Sequence, residues 1–136
     1  RASLFAPPPP PGGGPHGAVR RSLPVFRHRA ALVDAFHNNP VTIVEGETGS
    51  GKTTQVAQYL LEHAHETNTP VNIICTQPRR ISAMGVAQRV ADERAEPLGR
   101  MVGYQVRLES KRSAATRLLF CTTGILLRRL EEHLVR

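Results

Sequence analysis

The sequence predicts an α/β fold in which helices cover a doubly wound parallel sheet. Short apolar runs rich in β-branched residues, which are typical of buried strands, alternate with segments whose apolar residues recur every three or four positions, as in amphipathic helices. Strands that alternate with helices pair in parallel through right-handed crossovers. The predicted strands are residues 41–44, 71–75, 102–106 and 118–121.

The first 22 residues differ in composition from the rest of the chain. A proline run at residues 7–11 is followed by three glycines and Pro15. Proline has no backbone N–H donor and glycine is costly to order, so this block cannot form a packed core. We therefore predict a disordered linker or tail at residues 1–22 and a folded domain at residues 23–136.

The charge of the chain indicates which partners it could bind, and its cysteines indicate the cellular compartment. The formal net charge of +7 favours a polyanionic partner, either nucleic acid or an acidic membrane surface, although a solvated basic face without a partner explains it equally well. Apolar runs are too short to cross a membrane. Cys75 and Cys121 lie in apolar stretches without metal-ligand spacing, which indicates buried reduced thiols in an intracellular protein.

Residues 46–53 follow the phosphate-loop pattern G-x-x-x-x-G-K-[ST], and they lie between a predicted strand and a predicted helix. Glycines let backbone N–H groups approach phosphate oxygens, and the helix that begins near Gly51 directs its positive end at the same anion. Lys52 is a mobile charge that can reach the β- and γ-phosphates, and the Thr53 hydroxyl can ligate Mg²⁺. The alternative is a glycine-rich turn with a solvated lysine.

Two arginines follow the predicted strand at residues 71–75. Parallel strands end at the ligand-binding edge of such sheets, so Arg79 and Arg80 are expected beside the nucleotide crevice. Arginines at a sheet edge suit phosphodiester oxygens.

Four segments in register resemble the DEAH-box (DEAH/RHA) family of ATP-dependent RNA helicases. The resemblance extends from about residue 23 to residue 130, and it implies an incomplete first RecA-like domain of a P-loop NTPase. The segments are residues 47–55 (ETGSGKTTQ), 76–80 (TQPRR), 102–104 (VGY) and 122–124 (TTG).

The resemblance assigns roles to particular residues. Lys52 would contact the phosphates of ATP, and Thr53 would hold the metal ion. Arg79 and Arg80 would belong to motif Ia, and Thr122 with Thr123 to motif Ib, both of which contact the RNA backbone. The nucleotide-binding set would be Gly46, Glu47, Thr48, Gly49, Ser50, Gly51, Lys52, Thr53, Thr54 and Arg89.

Arg89 matches the family arginine that lies against the adenine base. A solvated helix arginine is the alternative for this position. Ala57 departs from the family, because many members carry proline there.

The activity that the resemblance implies is ATP hydrolysis coupled to movement along single-stranded RNA, with Mg²⁺ as cofactor. RNA and the rest of the helicase core would be the partners, no membrane is expected, and the cytoplasm is favoured over the nucleus. The Asp-Glu-x-His element that names the family does not occur in the 136 residues, so we expect weak ATP binding and little hydrolysis. The alternatives are another P-loop enzyme, such as a kinase or transport ATPase, and a non-catalytic module that binds RNA or nucleotide.

Overall fold

The computed structural model describes residues 16–134, with only the backbone described for residues 133 and 134. The predicted tail at residues 1–15 lies outside this part of the chain. A 3₁₀ turn at Pro24–His28 separates the first two helices. The helices are α1 (Gly17–Ser22), α2 (Arg29–Asn38), α3 (Lys52–Glu66), α4 (Arg80–Glu93) and α5 (Thr123–Leu134), and the strands are β1 (Ile73–Gln77), β2 (Val102–Val106), β3 (Glu109–Lys111) and β4 (Leu118–Thr122).

The four strands form one mixed sheet in the order β1-β4-β2-β3. The strands β1, β4 and β2 run parallel, which confirms the α/β class and part of the predicted sheet. The prediction of an all-parallel sheet is wrong at β3, which pairs antiparallel with β2. Only Arg107 and Leu108 separate these strands, and so short a connection permits only a hairpin, because a parallel crossover needs a dozen or more residues.

The strand predicted at residues 41–44 is absent. Residues 41–47 form no helix or strand, and Val41 and Ile43 are 77% and 83% exposed. A strand needs a neighbour to pair its N–H and C=O groups. Among the described residues, none pairs with this segment, and β1 is the edge strand nearest to it. Residues 41–44 therefore do not form a strand, because no neighbouring strand in the described part of the chain is hydrogen-bonded to them.

The main core lies between the sheet and the helices α3 and α4. The strand β4 is central, and its residues 118–121 are all buried, so both of its faces are covered. Alanines on the two helices let their backbones approach the strands closely, against Leu118 and Phe120 of β4. These alanines are Ala57, Ala64, Ala83, Ala87 and Ala91.

The N-terminal part of the described chain packs on the other side of α3. Val25 and Val33 form a second buried cluster with Tyr59 of α3. Arg20 of α1 pairs with Glu62 at 2.6 Å between its terminal nitrogen and the carboxylate. Residues 17–22, which the sequence assigned to a linker, are therefore helical and bound to the folded part. The division into a tail and a domain remains a prediction.

The two cysteines lie on neighbouring strands and both are free. Burial, with a smaller contribution from the nearby Cys121 thiol, raises the pKa of the Cys75 thiol to about 11; burial also raises the pKa of Cys121. Both thiols are therefore protonated at neutral pH, which makes them poor nucleophiles.

Candidate functional site

The phosphate-loop sequence forms an exposed turn that leads directly into α3. Gly49 and Gly51 have φ values of +86° and +100°, where a side chain would be strained. Gly51 caps α3, whose first residue is Lys52. The glycines of the pattern are thus required by backbone conformation, and the free N–H groups of the first turn of α3 face the loop.

Lys52 folds back over the loop. Its ammonium group donates a hydrogen bond to the carbonyl oxygen of Gly46, so the cation lies across the turn that it follows. Lys52 also lines clefts on both sides of the loop. An anion in the loop would compete with the Gly46 carbonyl for the same ammonium group.

Ser50 contributes a polar group without a partner. Its Oγ is buried and makes no hydrogen bond, and a Cβ added to Gly46 would lie 3.0 Å from it. A buried hydroxyl without a partner costs about 1–3 kcal/mol. The hydroxyl lies close to Gly46, at the start of the turn, and an anion bound in the turn could accept its hydrogen bond.

Two open clefts flank the loop. The larger, of about 660 Å³, lies between residues 42–50 and the segment that carries the 3₁₀ turn and α2. The smaller, of about 420 Å³, lies between the start of α3 and the end of β1, where Thr53 faces the same space as Thr76 and Gln77. Both volumes are in the range of small-molecule sites.

Residues before α2 contact the loop, which no sequence pattern predicted. The N–H of Val25 donates to the carbonyl of Ser50 at 3.1 Å. Leu23 and Val25 also pack against Gly51, since a Cβ added to this glycine would lie 3.0 Å from Leu23 and 2.9 Å from Val25. The end of the loop is therefore held against the N-terminal segment as well as against α3.

The structure brings the four predicted RNA-binding residues to one edge of the sheet. Gln77 at the end of β1 is in register with Thr122 at the end of β4, and α4 and α5 begin just beyond these residues. Arg79 and Arg80 therefore lie near Thr122 and Thr123 along the carboxyl edge.

Arg80 is bound to the β2–β3 hairpin. Its guanidinium pairs with Glu109 at 3.0 Å, and the Tyr104 hydroxyl donates to the other oxygen of the same carboxylate at 3.1 Å. Its charge is thus partly neutralised, whereas Arg79 caps α4 and is exposed. The two arginines are therefore not equivalent.

A buried polar cluster joins α3 and α4, and sequence periodicity did not predict it. The Glu93 carboxylate accepts hydrogen bonds from Gln55 at 2.8 Å, from Gln58 at 2.9 Å and from Arg89 at 2.7 Å. Gln55, Gln58 and Glu93 lie in helices whose apolar periodicity carries no information about polar contacts between them, and only Arg89 was expected to have a role. A glutamine pair three apart at the start of a helix was the available signal.

Burial alone would raise the pKa of Glu93, but the hydrogen bonds from Gln55, Gln58 and Arg89 and the Arg89 charge outweigh it and lower the pKa. Because the folded pKa lies below the unfolded one, the carboxylate contributes stability above the unfolded pKa. This contribution is lost as the pH falls through the folded pKa.

Comparisons with curated proteins identify the class of protein to which this chain is similar. The chain is 56% identical over 117 residues to the DExH-box ATP-dependent RNA helicase DExH1 of Arabidopsis thaliana, which covers 85% of this chain and 12% of the relative. It is 57% identical over 113 residues to DExH3 of the same plant, covering 82% and 9%. It is 50% identical over 121 residues to the ATP-dependent RNA helicase DHX29 of Homo sapiens, covering 83% and 9%.

These curated homologues confirm the resemblance: they are DExH-box ATP-dependent RNA helicases. The chain spans 9 to 12% of the length of the three relatives. No protein-family model matches the chain. Between residues 16 and 134, no helix has the length and apolar character that a membrane crossing requires. The same part of the chain contains no cluster of three or more His, Cys, Asp or Glu residues that could hold a metal ion.

Proposed function

We propose that this chain is the nucleotide-binding part of an ATP-dependent RNA helicase, with Mg-ATP bound at residues 46–53. The observation that carries the proposal is the loop itself: two glycines at positive φ lead into a helix whose first residue is Lys52. The helicase names of the relatives support ATP as the nucleotide.

The residues of the loop fit a phosphate chain. Its N–H groups and the positive end of α3 attract an anion, and Lys52 needs only to exchange the Gly46 carbonyl for a phosphate oxygen. The unpaired Ser50 hydroxyl would donate to the same anion. Bound Mg-ATP supplies the phosphoryl group and a metal ion that neutralises charge, and the exposed Thr53 hydroxyl would ligate that ion.

RNA would bind along the carboxyl edge of the sheet. Arg79, Arg80, Thr122 and Thr123 gather there, beside the cleft that Thr53 lines. Backbone contacts of this kind provide affinity without sequence choice. The basic charge of the chain supports such a partner.

Arg89 would contact the base. Its side chain is 44% exposed on α4, and Glu93 joins it to Gln55, three residues after Lys52. Arg89 thus lies on the helix that is hydrogen-bonded through Glu93 to α3, and the resemblance to the family arginine is the ground for placing the base against it.

We expect the purified chain to bind ATP but to hydrolyse it far more slowly than about 1 per second, a low value for an enzyme. Steady-state phosphate release, with and without single-stranded RNA, measures this. Turnover at an ordinary enzymatic rate would contradict the expectation. Hydrolysis stimulated by a small-molecule acceptor rather than by RNA would favour another P-loop enzyme, and RNA binding that ignores ATP would favour the non-catalytic module.

Replacing Arg79 and Arg80 with alanine should flatten the salt dependence of RNA affinity. Each lost phosphate contact reduces the slope of log K against log salt by about 0.7 for a single strand, so the double variant should lose up to about 1.4. Arg79→Ala should account for the larger share, because Glu109 holds Arg80. Fluorescence anisotropy with a labelled oligonucleotide at several salt concentrations provides the measurement.

The matched control removes the same charge from the opposite edge of the sheet. Arg100 and Arg117 precede β2 and β4 at their amino ends. Replacing both with alanine should leave the slope near that of the wild type. Equal slopes for the two double variants would remove Arg79 and Arg80 from the interface.

A further inference from the structure

Glu93 lies at the centre of a polar cluster inside the fold. Its side chain is 3% exposed, and both carboxylate oxygens are used. One oxygen accepts from Gln55 and Gln58 of α3, and the other accepts from Nε of Arg89. Arg20 of α1 approaches the first oxygen at 3.7 Å, and its Nε donates to the side-chain amide oxygen Oε1 of Gln55 at 2.7 Å.

This carboxylate joins two parts of the site that the chain separates. Gln55 follows Lys52 by three residues and lies in the first turns of α3, and its amide is fully buried. Arg89 lies on α4, with 44% of its side chain exposed. Glu93 therefore links the helix that begins at the phosphate loop to a guanidinium that reaches solvent.

A guanidinium stacks on a base more favourably when its plane is already held in one orientation. A free arginine side chain has several rotatable bonds, and fixing them costs about 2 kcal/mol of entropy. The bond from Nε to Glu93 fixes the side chain at its inner nitrogen, which directs the rest of the guanidinium outward.

We propose that Glu93 is a positioning residue, which orients Arg89 for contact with the nucleotide base and sets that orientation relative to the phosphate loop. The proposal rests on the proposed function, because it requires a nucleotide in the loop. Glu93 itself would touch neither the phosphates nor the base, and it would act on nucleotide binding through Arg89.

Glutamine at position 93 cannot reproduce these contacts. The carboxylate accepts three N–H groups on two oxygens, whereas an amide offers one acceptor oxygen and one N–H₂ donor group. If the oxygen faces Gln55 and Gln58, the amide nitrogen meets the Arg89 donor, and in the flipped orientation it meets the two glutamine donors. Glu93→Gln therefore disturbs the orientation of Arg89 without changing the side-chain size.

The experiment compares the affinities of the whole chain for ATP and for inorganic tripolyphosphate, each with Mg²⁺, by calorimetry. The ratio of the two affinities isolates the contribution of the nucleoside. Arg89→Ala should lower this ratio about tenfold, in line with the usual effect of one stacked base, and Glu93→Gln should lower it about fivefold. The Arg89→Ala/Glu93→Gln double variant should match Arg89→Ala, because Glu93 acts through Arg89.

Glu62→Gln is the matched control. Glu62 lies on α3 and pairs with Arg20 and Arg29, but it does not bond to Arg89. This variant should keep the wild-type ratio. Glu93→Asp keeps the charge but shortens the side chain, and it provides a second test with the cluster still ionised; its ratio should also fall.

Thermal unfolding of each variant establishes that it is folded at the temperature of measurement. A wild-type ratio in folded Glu93→Gln or Glu93→Asp would overturn the inference. So would a ratio in the double variant that falls well below that of Arg89→Ala alone. If the wild type binds neither ligand, or if Lys52→Ala binds both as the wild type does, the proposed function fails first and the inference falls with it.

Discussion

Lys52→Ala is expected to lower the affinity for Mg-ATP about a hundredfold or more. Hydrogen bonds to charged groups contribute about 1.5–3 kcal/mol each, and Lys52 would make two of them, to the β- and γ-phosphates. The free energy of unfolding should change by less than about 1 kcal/mol, since Lys52 lies at the first residue of α3 and its hydrogen bond to Gly46 is exposed. Calorimetric titration and denaturant unfolding measure the two quantities.

Lys111→Ala is the control for this prediction. Lys111 is the other lysine of the chain, and it lies on the exposed strand β3. Its loss should leave ATP affinity within about twofold. If Lys52→Ala bound Mg-ATP as tightly as Lys111→Ala, the loop would be a solvated glycine-rich turn rather than a phosphate site.

Gly51→Ala is expected to destabilise the fold by about 2–5 kcal/mol and to abolish nucleotide binding. A φ of +100° costs an alanine about 1–2 kcal/mol, and overpacking against Leu23 and Val25 adds about 1–3 kcal/mol. Because the same residue caps α3, relief of the overlap would shift the N–H groups that face the anion. Urea unfolding and ATP titration give the two readouts.

Gly49→Ala separates backbone strain from steric overlap. Its φ of +86° is similar, but a Cβ at this position meets no atom within 4 Å. The cost should therefore stay near the strain of about 1–2 kcal/mol alone. Equal destabilisation by the two substitutions would show that the contacts with Leu23 and Val25 do not hold the loop.

The structure of residues 17–22 could not be predicted from the sequence. Composition predicted a linker through residue 22, yet α1 is helical and Arg20 reaches Gln55 and Glu62. A short helix of six residues has no periodic signal of its own, and its order comes from contacts with residues about 35 to 42 positions away. Such long-range pairs are invisible to a local pattern.

The segment at residues 41–44 shows the opposite case. Its β-branched residues favour an extended backbone, but the segment forms neither a helix nor a strand. Local preference cannot supply a paired neighbour, and Val41 and Ile43 stay exposed. The antiparallel pairing of β3 with β2 also depends on a neighbouring strand, and the two-residue connection between them decides its direction.

The sequence by itself determined the α/β class, the relation to DExH-box helicases and the position of the glycine-rich turn that leads into α3, because these depend on local periodicity and on residue types at fixed spacing. Tertiary structure alone decided the order of the strands, the packing of Leu23 and Val25 on Gly51, and the burial of Glu93 among Gln55, Gln58 and Arg89. Those features depend on which segments, distant in sequence, contact one another in the fold. A buried charge is tolerated only where the fold also places its hydrogen-bond partners around it.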